Sequence, residues 1–183
     1  MNFKRWVLIA AAIFCVGLVI GLLLPDSAAD SIEQTFKDIA GSAASAQGLG
    51  LFILLLLNNT LAVGASFIFS PIFLILPVVS LLTNGALITV VARLTLQDHS
   101  PAFLAAGILP HGIIEIPAYL LAQAAAICFG FNVLNALFAP QRRSEAGLVL
   151  RKCLLWLGLA IILLIPAALV EAFITPLLLG LFN

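Results

Sequence analysis

Charge is what this sequence has least of. Eight Lys and Arg and eight Asp and Glu amount to 9% of 183 residues, while hydrophobic residues make up 63%; an ordinary soluble domain carries about a quarter charged residues. Mean hydropathy is +1.24, which excludes a soluble globular domain. The balanced formal charge of zero lacks the basic excess of a nucleic-acid binder, so no such partner is expected. Cysteine is scarce as well. Cys15, Cys128 and Cys153 show no CxxC spacing, which leaves out a disulfide framework or thiolate metal site; they read as small polarizable core residues. HExxH and GxSxG are both missing, as is an internal repeat of the usual transporter kind, so neither an enzyme nor a cofactor is expected.

What is present is a series of uncharged runs. Lys4 and Arg5 precede Trp6 to Leu24, which as helix is about 28 Å long and spans a hydrocarbon core. Within it Gly17 and Gly21 form a GxxxG that lets another helix approach closely. Pro25-Asp26 ends that span. The tract 26–47 is the most polar of the chain; a Ser27-x-x-Asp30 capping pattern and apolar Ile32, Phe36 and Ile39 predict an amphipathic extracytoplasmic helix. From Gly48 to Val91 the chain is uncharged for the length of two spans, divided at Ser70-Pro71 into 48–69 and 71–92. Asn58-Asn59 fall in the middle of the first and Asn84 in the second, residue types that hydrogen-bond between membrane helices.

A fourth run, 102–130 with a re-entrant or extended end reaching 139, holds the stretch Leu109-Pro-His-Gly-Ile-Ile-Glu-Ile-Pro-Ala118. Residues four apart share a helix face, so His111, Glu115, Tyr119 and Gln123 form one polar stripe and Ala118, Ala122, Ala126 and Gly130 a smooth one. Ionisable groups in a membrane face a bundle interior or a wet cavity. Measured as helix from the outer end, His111 lies about 14 Å deep, Glu115 about 20 Å and Asn58 about 15 Å, so these groups can meet. The last span, 154–173, is interrupted by Pro166 and carries Glu171, about 28 Å along the helix from Lys152 and thus close to the outer interface. Leu177 to Phe182 is too short to cross. The fold expected is an all-α, polytopic transmembrane bundle of about five spans forming a single integral membrane domain.

The decapeptide, the Asn58-Asn59 pair and the terminal Val170-Glu-Ala-Phe-Ile-Thr-Pro176 together resemble the stage II sporulation protein M family, small polytopic membrane proteins of bacteria and archaea. The resemblance covers most of the chain and carries the family's polar signature onto Asn58, Asn59, His111, Glu115 and Glu171. It implies a membrane scaffold or a component of a multiprotein complex, with other membrane or cell-envelope proteins as partners.

Beside that reading stand two others. The intramembrane cluster Asn58, Asn59, Asn84, His111, Glu115, Tyr119, Gln123 and Glu171 suits a transporter or channel for a small solute or ion, with His and Glu titrating. An intramembrane metal-dependent hydrolase would draw its ligands from His111, Glu115 and Glu171. The basic residues favour a multi-pass protein of the cytoplasmic membrane with the amino terminus inside and the carboxyl terminus outside. The surplus of small-residue stripes predicts a homodimer or larger homo-oligomer within the bilayer.

Overall fold

A computed structural model describes residues 2–25, 47–72, 74–139, 141 and 146–182. All of its regular structure is helical. The helices are α1 (Phe3–Leu23), α2 (Leu49–Phe69), α3 (Ile75–Asp98), α4 (Pro101–Phe138) and α5 (Ala146–Leu169); a π-helical turn Val170–Ile174 joins α5 to the short α6 (Thr175–Leu179), and a 3₁₀ turn Gly180–Phe182 follows. Five helical stretches, the last running Ala146–Phe182, are long and apolar enough to cross a membrane. The amphipathic helix expected over 26–47 lies outside the described residues, apart from Gln47.

Two boundaries differ from the sequence reading, and for the fourth run one of its two alternatives is found. The third span does not stop at 92, because α3 continues through Arg93 to Asp98; a helix needs no apolar side chains once its end leaves hydrocarbon. The fourth run is one helix of 38 residues with Pro110 and Pro117 inside it, extended rather than re-entrant and about 57 Å long. The last helix passes Pro166 without a break. Its irregularity comes at 170–174 instead, ahead of Pro176. Proline removes a backbone donor and crowds the carbonyl four residues earlier; here the Thr175 N–H reaches back five residues to the Val170 carbonyl, which widens the turn before the ring.

Helix α4 is the axis of the bundle and packs against the other four main helices. On one side Ala118, Ala122 and Ala126 meet Val63 of α2 and Cys153, Leu157 and Ala160 of α5. On the other, Ala124 and Ile127 meet Ala10 and Phe14 of α1 and Leu81 of α3. The backbones of α1 and α3 nearly touch: a Cβ on Gly17 would lie 2.5 Å from the Leu82 carbonyl oxygen, and one on Gly85 the same distance from that of Phe14. Ser70 begins the α2–α3 turn, which lies on Gly130, where a Cβ would collide with the Ser70 carbonyl and the Leu74 side chain. From that turn α2 leans on α4 and α5 while α3 leans on α1 and α4, so the two touch each other little and leave a notch over α4.

The two ends of the bundle differ chemically. Phe3 stacks on Trp156 at 4.4 Å and Trp6 lies 5.1 Å from Phe131, so exposed Lys4, Arg5, Arg151 and Lys152 share one end with an aromatic cluster. At the other end Ser100 caps α4 by accepting from the Phe103 N–H at 3.2 Å, Phe103 packs edge-on to Phe182, and Arg93 donates to the carbonyls of Gly21, Leu22 and Leu24. The carboxyl-terminal turns thus reach the same level as the start of α4.

Candidate functional site

The polar stripe of α4 faces the notch. One turn apart, His111 and Glu115 point into a cavity of about 460 Å³ bounded by Asn58, Asn59, Asn84, Tyr119 and Glu171 among others. Nδ1 of His111 lies 2.5 Å from Oε2 of Glu171. The contact is one of charge and proximity, since neither atom meets hydrogen-bond geometry among the described residues. On its far side, Nε2 of His111 is 4.0 Å from Oε2 of Glu115, and Oε1 of Glu115 accepts from Nδ2 of Asn59 at 2.9 Å. The chain Glu171, His111, Glu115, Asn59 therefore runs from the π turn across α4 to α2.

A second network lies deeper. The hydroxyls of Ser80 and Tyr119 are 2.6 Å apart, Asn84 donates through Nδ2 to the Tyr119 hydroxyl at 3.0 Å and to the Ser80 carbonyl at 2.9 Å, and Gln123 donates through Nε2 to Ser80 Oγ at 3.2 Å. Ser80 is thus the hub that sequence reasoning missed as a site residue. Its spacing of four from Asn84 was the available signal, but that spacing equally describes ordinary interhelical bonding. Gln123 is fully buried, one turn below Tyr119 and outside the cavity lining; its Oε1 has no hydrogen-bond partner among the described residues.

Seven of the eight cluster residues named from sequence border one cavity: Asn58, Asn59, Asn84, His111, Glu115, Tyr119 and Glu171. Glu171 sits on the π-helical turn beside His111. The helix continues past it to Phe182, about 16 Å further, which brings it level with His111. As metal ligands, His111, Glu115 and Glu171 do not gather round one point, because the imidazole stands between the carboxylates with one nitrogen toward each. Among the described residues no three His, Cys, Asp or Glu side chains are arranged to hold a metal ion.

The small-residue stripes are consumed within the chain. Gly17 and Gly21 receive the backbone of α3, Gly130 receives the α2–α3 turn, and Ala118, Ala122 and Ala126 are buried against α2 and α5.

A family model described as stage II sporulation protein M matches residues 10–176, a range that includes every residue of the cavity. No curated protein and no solved structure gives a significant match.

Proposed function

The chain belongs to the stage II sporulation protein M family, and from that premise we propose that this multi-pass membrane protein binds a small solute in its polar cavity and moves it across the cytoplasmic membrane, with His111, Glu115 and Glu171 lining the path. The cavity itself carries the reading. Polar side chains that merely held helices together would close on one another, whereas here they surround about 460 Å³, within the size of ordinary small-molecule sites. Asn58 is exposed where hydrocarbon would leave its amide unsatisfied, a cost that water or a bound solute removes. The missing catalytic motifs support binding and movement over chemistry.

A second reading, the membrane scaffold, has its own support. The same bonds link α2 to α4 through Asn59 and Glu115, α3 to α4 through Ser80 and Tyr119, and α4 to the last helix through His111 and Glu171, as interhelical glue does. Envelope or membrane proteins would then be the partners.

Proton flux into liposomes under an imposed pH gradient separates the two. A transporter shows solute-dependent flux that Glu115→Gln abolishes while the folded yield stays near wild type. A scaffold shows no flux, tolerates Glu115→Gln, and loses folded yield with Glu115→Leu, which leaves the Asn59 amide without its acceptor. Absence of flux with every solute class tried, in a protein that remains folded, would reject the transport reading.

A further inference from the structure

We propose that the solute is a small organic cation, a protonated or quaternary amine, whose charge is held by Glu115; this rests on the solute-binding reading above. The argument begins with charge. Among the described residues lining the cavity the ionisable groups that can be charged near neutrality are two glutamates and one histidine, and there is no lysine or arginine. The imidazole of His111, the one basic group of the described lining, stands 2.5 Å from Glu171 and can offset no more than one of the two carboxylates. Glu115 is left over. Its Oε1 has the Asn59 amide, its Oε2 stands 4.0 Å from the imidazole, and 34% of the side chain is exposed. A carboxylate in this setting is completed by one positive charge, and an anion would be repelled by it. A proton satisfies the same group, so proton and solute compete for Glu115, which is the logic of exchange.

The rest of the wall distinguishes an organic cation from a metal ion. Leu87, Ile88, Val91 and Ile108 line the cavity and match the hydrocarbon part of an organic cation, while an alkali ion would draw its oxygens from the polar side of the cavity alone. Two aromatic rings border the same space, Phe14 and Tyr119, with centroids 6.4 Å apart. Aromatic faces attract desolvated ammonium groups within about 6 Å of the ring centre, and the aliphatic wall receives the apolar part of the molecule.

Equilibrium binding to the full-length protein in lipid nanodiscs tests this with three aromatic probes of similar size: benzyltrimethylammonium, benzyl alcohol and benzenesulfonate. The cation is expected to bind about tenfold more tightly than the alcohol and the sulfonate not at all. Glu115→Gln should bring cation and alcohol level. Because that variant could fold poorly, Asn58 at the cavity rim provides a second handle: Asn58→Asp should tighten cation binding and Asn58→Lys weaken it. Equal or tighter binding of alcohol or sulfonate, with neither substitution altering the order, overturns the cation assignment and leaves solute binding standing. Displacement of the cation by sodium chloride at equal concentration would overturn its organic character. If no probe binds and proton flux is also absent, both readings fail; if no probe binds while flux persists, the cation assignment alone fails.

Discussion

Nδ1 of His111, in the fourth helix, and Oε2 of Glu171, on the π-helical turn of the last, lie 2.5 Å apart. The contact depends on two backbone decisions made far apart in sequence. Helix α4 continues through Pro110, so His111 keeps the register of the polar stripe. The last helix widens by one residue ahead of Pro176, and such single-turn π segments recur at functional sites. The proline therefore helps to aim a carboxylate.

Substituting Glu171 should show what that contact contributes. Glu171→Leu removes the partner of an imidazole whose side chain is 18% exposed and should lower unfolding stability in micelles by about 1–3 kcal/mol. Glu171→Gln, which still hydrogen-bonds, should lose less than half of that. Combined with His111→Ala, Glu171→Leu should cost little more than His111→Ala alone, because the two changes delete one interaction. Full additivity in denaturant titrations would mean that the pair is not coupled.

Glycine packing gives a test with an internal control. At Gly17 and Gly85 a Cβ would sit 2.5 Å from a carbonyl oxygen of the facing helix, whereas at Gly64 nothing lies within 4 Å. Gly17→Ala and Gly85→Ala must push α1 and α3 apart and should cost about 1–3 kcal/mol. Gly64→Ala should be neutral or stabilising by up to about 1 kcal/mol, the helix-propensity gain. Equal effects at the three positions in thermal unfolding would contradict the packing described.

That comparison also marks how far the sequence could be read. Five spans were legible because uncharged runs reveal themselves by length, and the face shared by His111, Glu115, Tyr119 and Gln123 follows from helix periodicity alone. Gly17 and Gly21 were legible as a contact surface but not as a contact with α3, since a smooth stripe does not name its partner. Glu171 is legible as a polar residue of the last span but not as the partner of His111, since periodicity within one helix does not say what it faces on another. Helix ends were misplaced at Arg93, where charge was equated with the end of a helix; the guanidinium instead has carbonyl partners on α1. Ser80 was hidden because a serine bonding within its own bundle and one organising a site have the same local sequence.

Arg93 should stabilise the end of α1. It donates to the Leu24 carbonyl at 2.8 Å and the Gly21 carbonyl at 3.2 Å, oxygens that the helix leaves open at its carboxyl end, and it sets a positive charge against the negative end of the helix dipole. Arg93→Ala should cost about 1–2 kcal/mol. Amide exchange over residues 20–24 should quicken while the core of α4 stays protected. Arg93→Lys should restore part of the protection, since one ammonium cannot reproduce the guanidinium fork. Unchanged exchange in the alanine variant would remove the capping role.

The last prediction concerns which end of the bundle faces the cytoplasm. Stacking of Phe3 on Trp156 brings Lys4 and Arg5 to the same end as Arg151 and Lys152, all four exposed, with Trp6 beside Phe131 forming the aromatic fringe expected where a helix leaves hydrocarbon. At the opposite end of the described structure the only lysine or arginine is Arg93, and its charge is turned inward onto the α1 carbonyls. Positive charge near membrane-helix ends is retained on the cytoplasmic side, so the amino terminus should be cytoplasmic and the carboxyl-terminal turns external. In a variant with Cys15, Cys128 and Cys153 replaced, a membrane-impermeant thiol reagent added to whole cells should modify Gln97→Cys, at the exposed outer end of α3, and leave Gly147→Cys, at the start of α5, unmodified until the cells are opened. The reverse pattern would invert the molecule. The cavity, lined by residues from Gly107 to Tyr119 of α4 and so nearer the end where that helix begins, would then lie nearer the cytoplasmic side than the exterior.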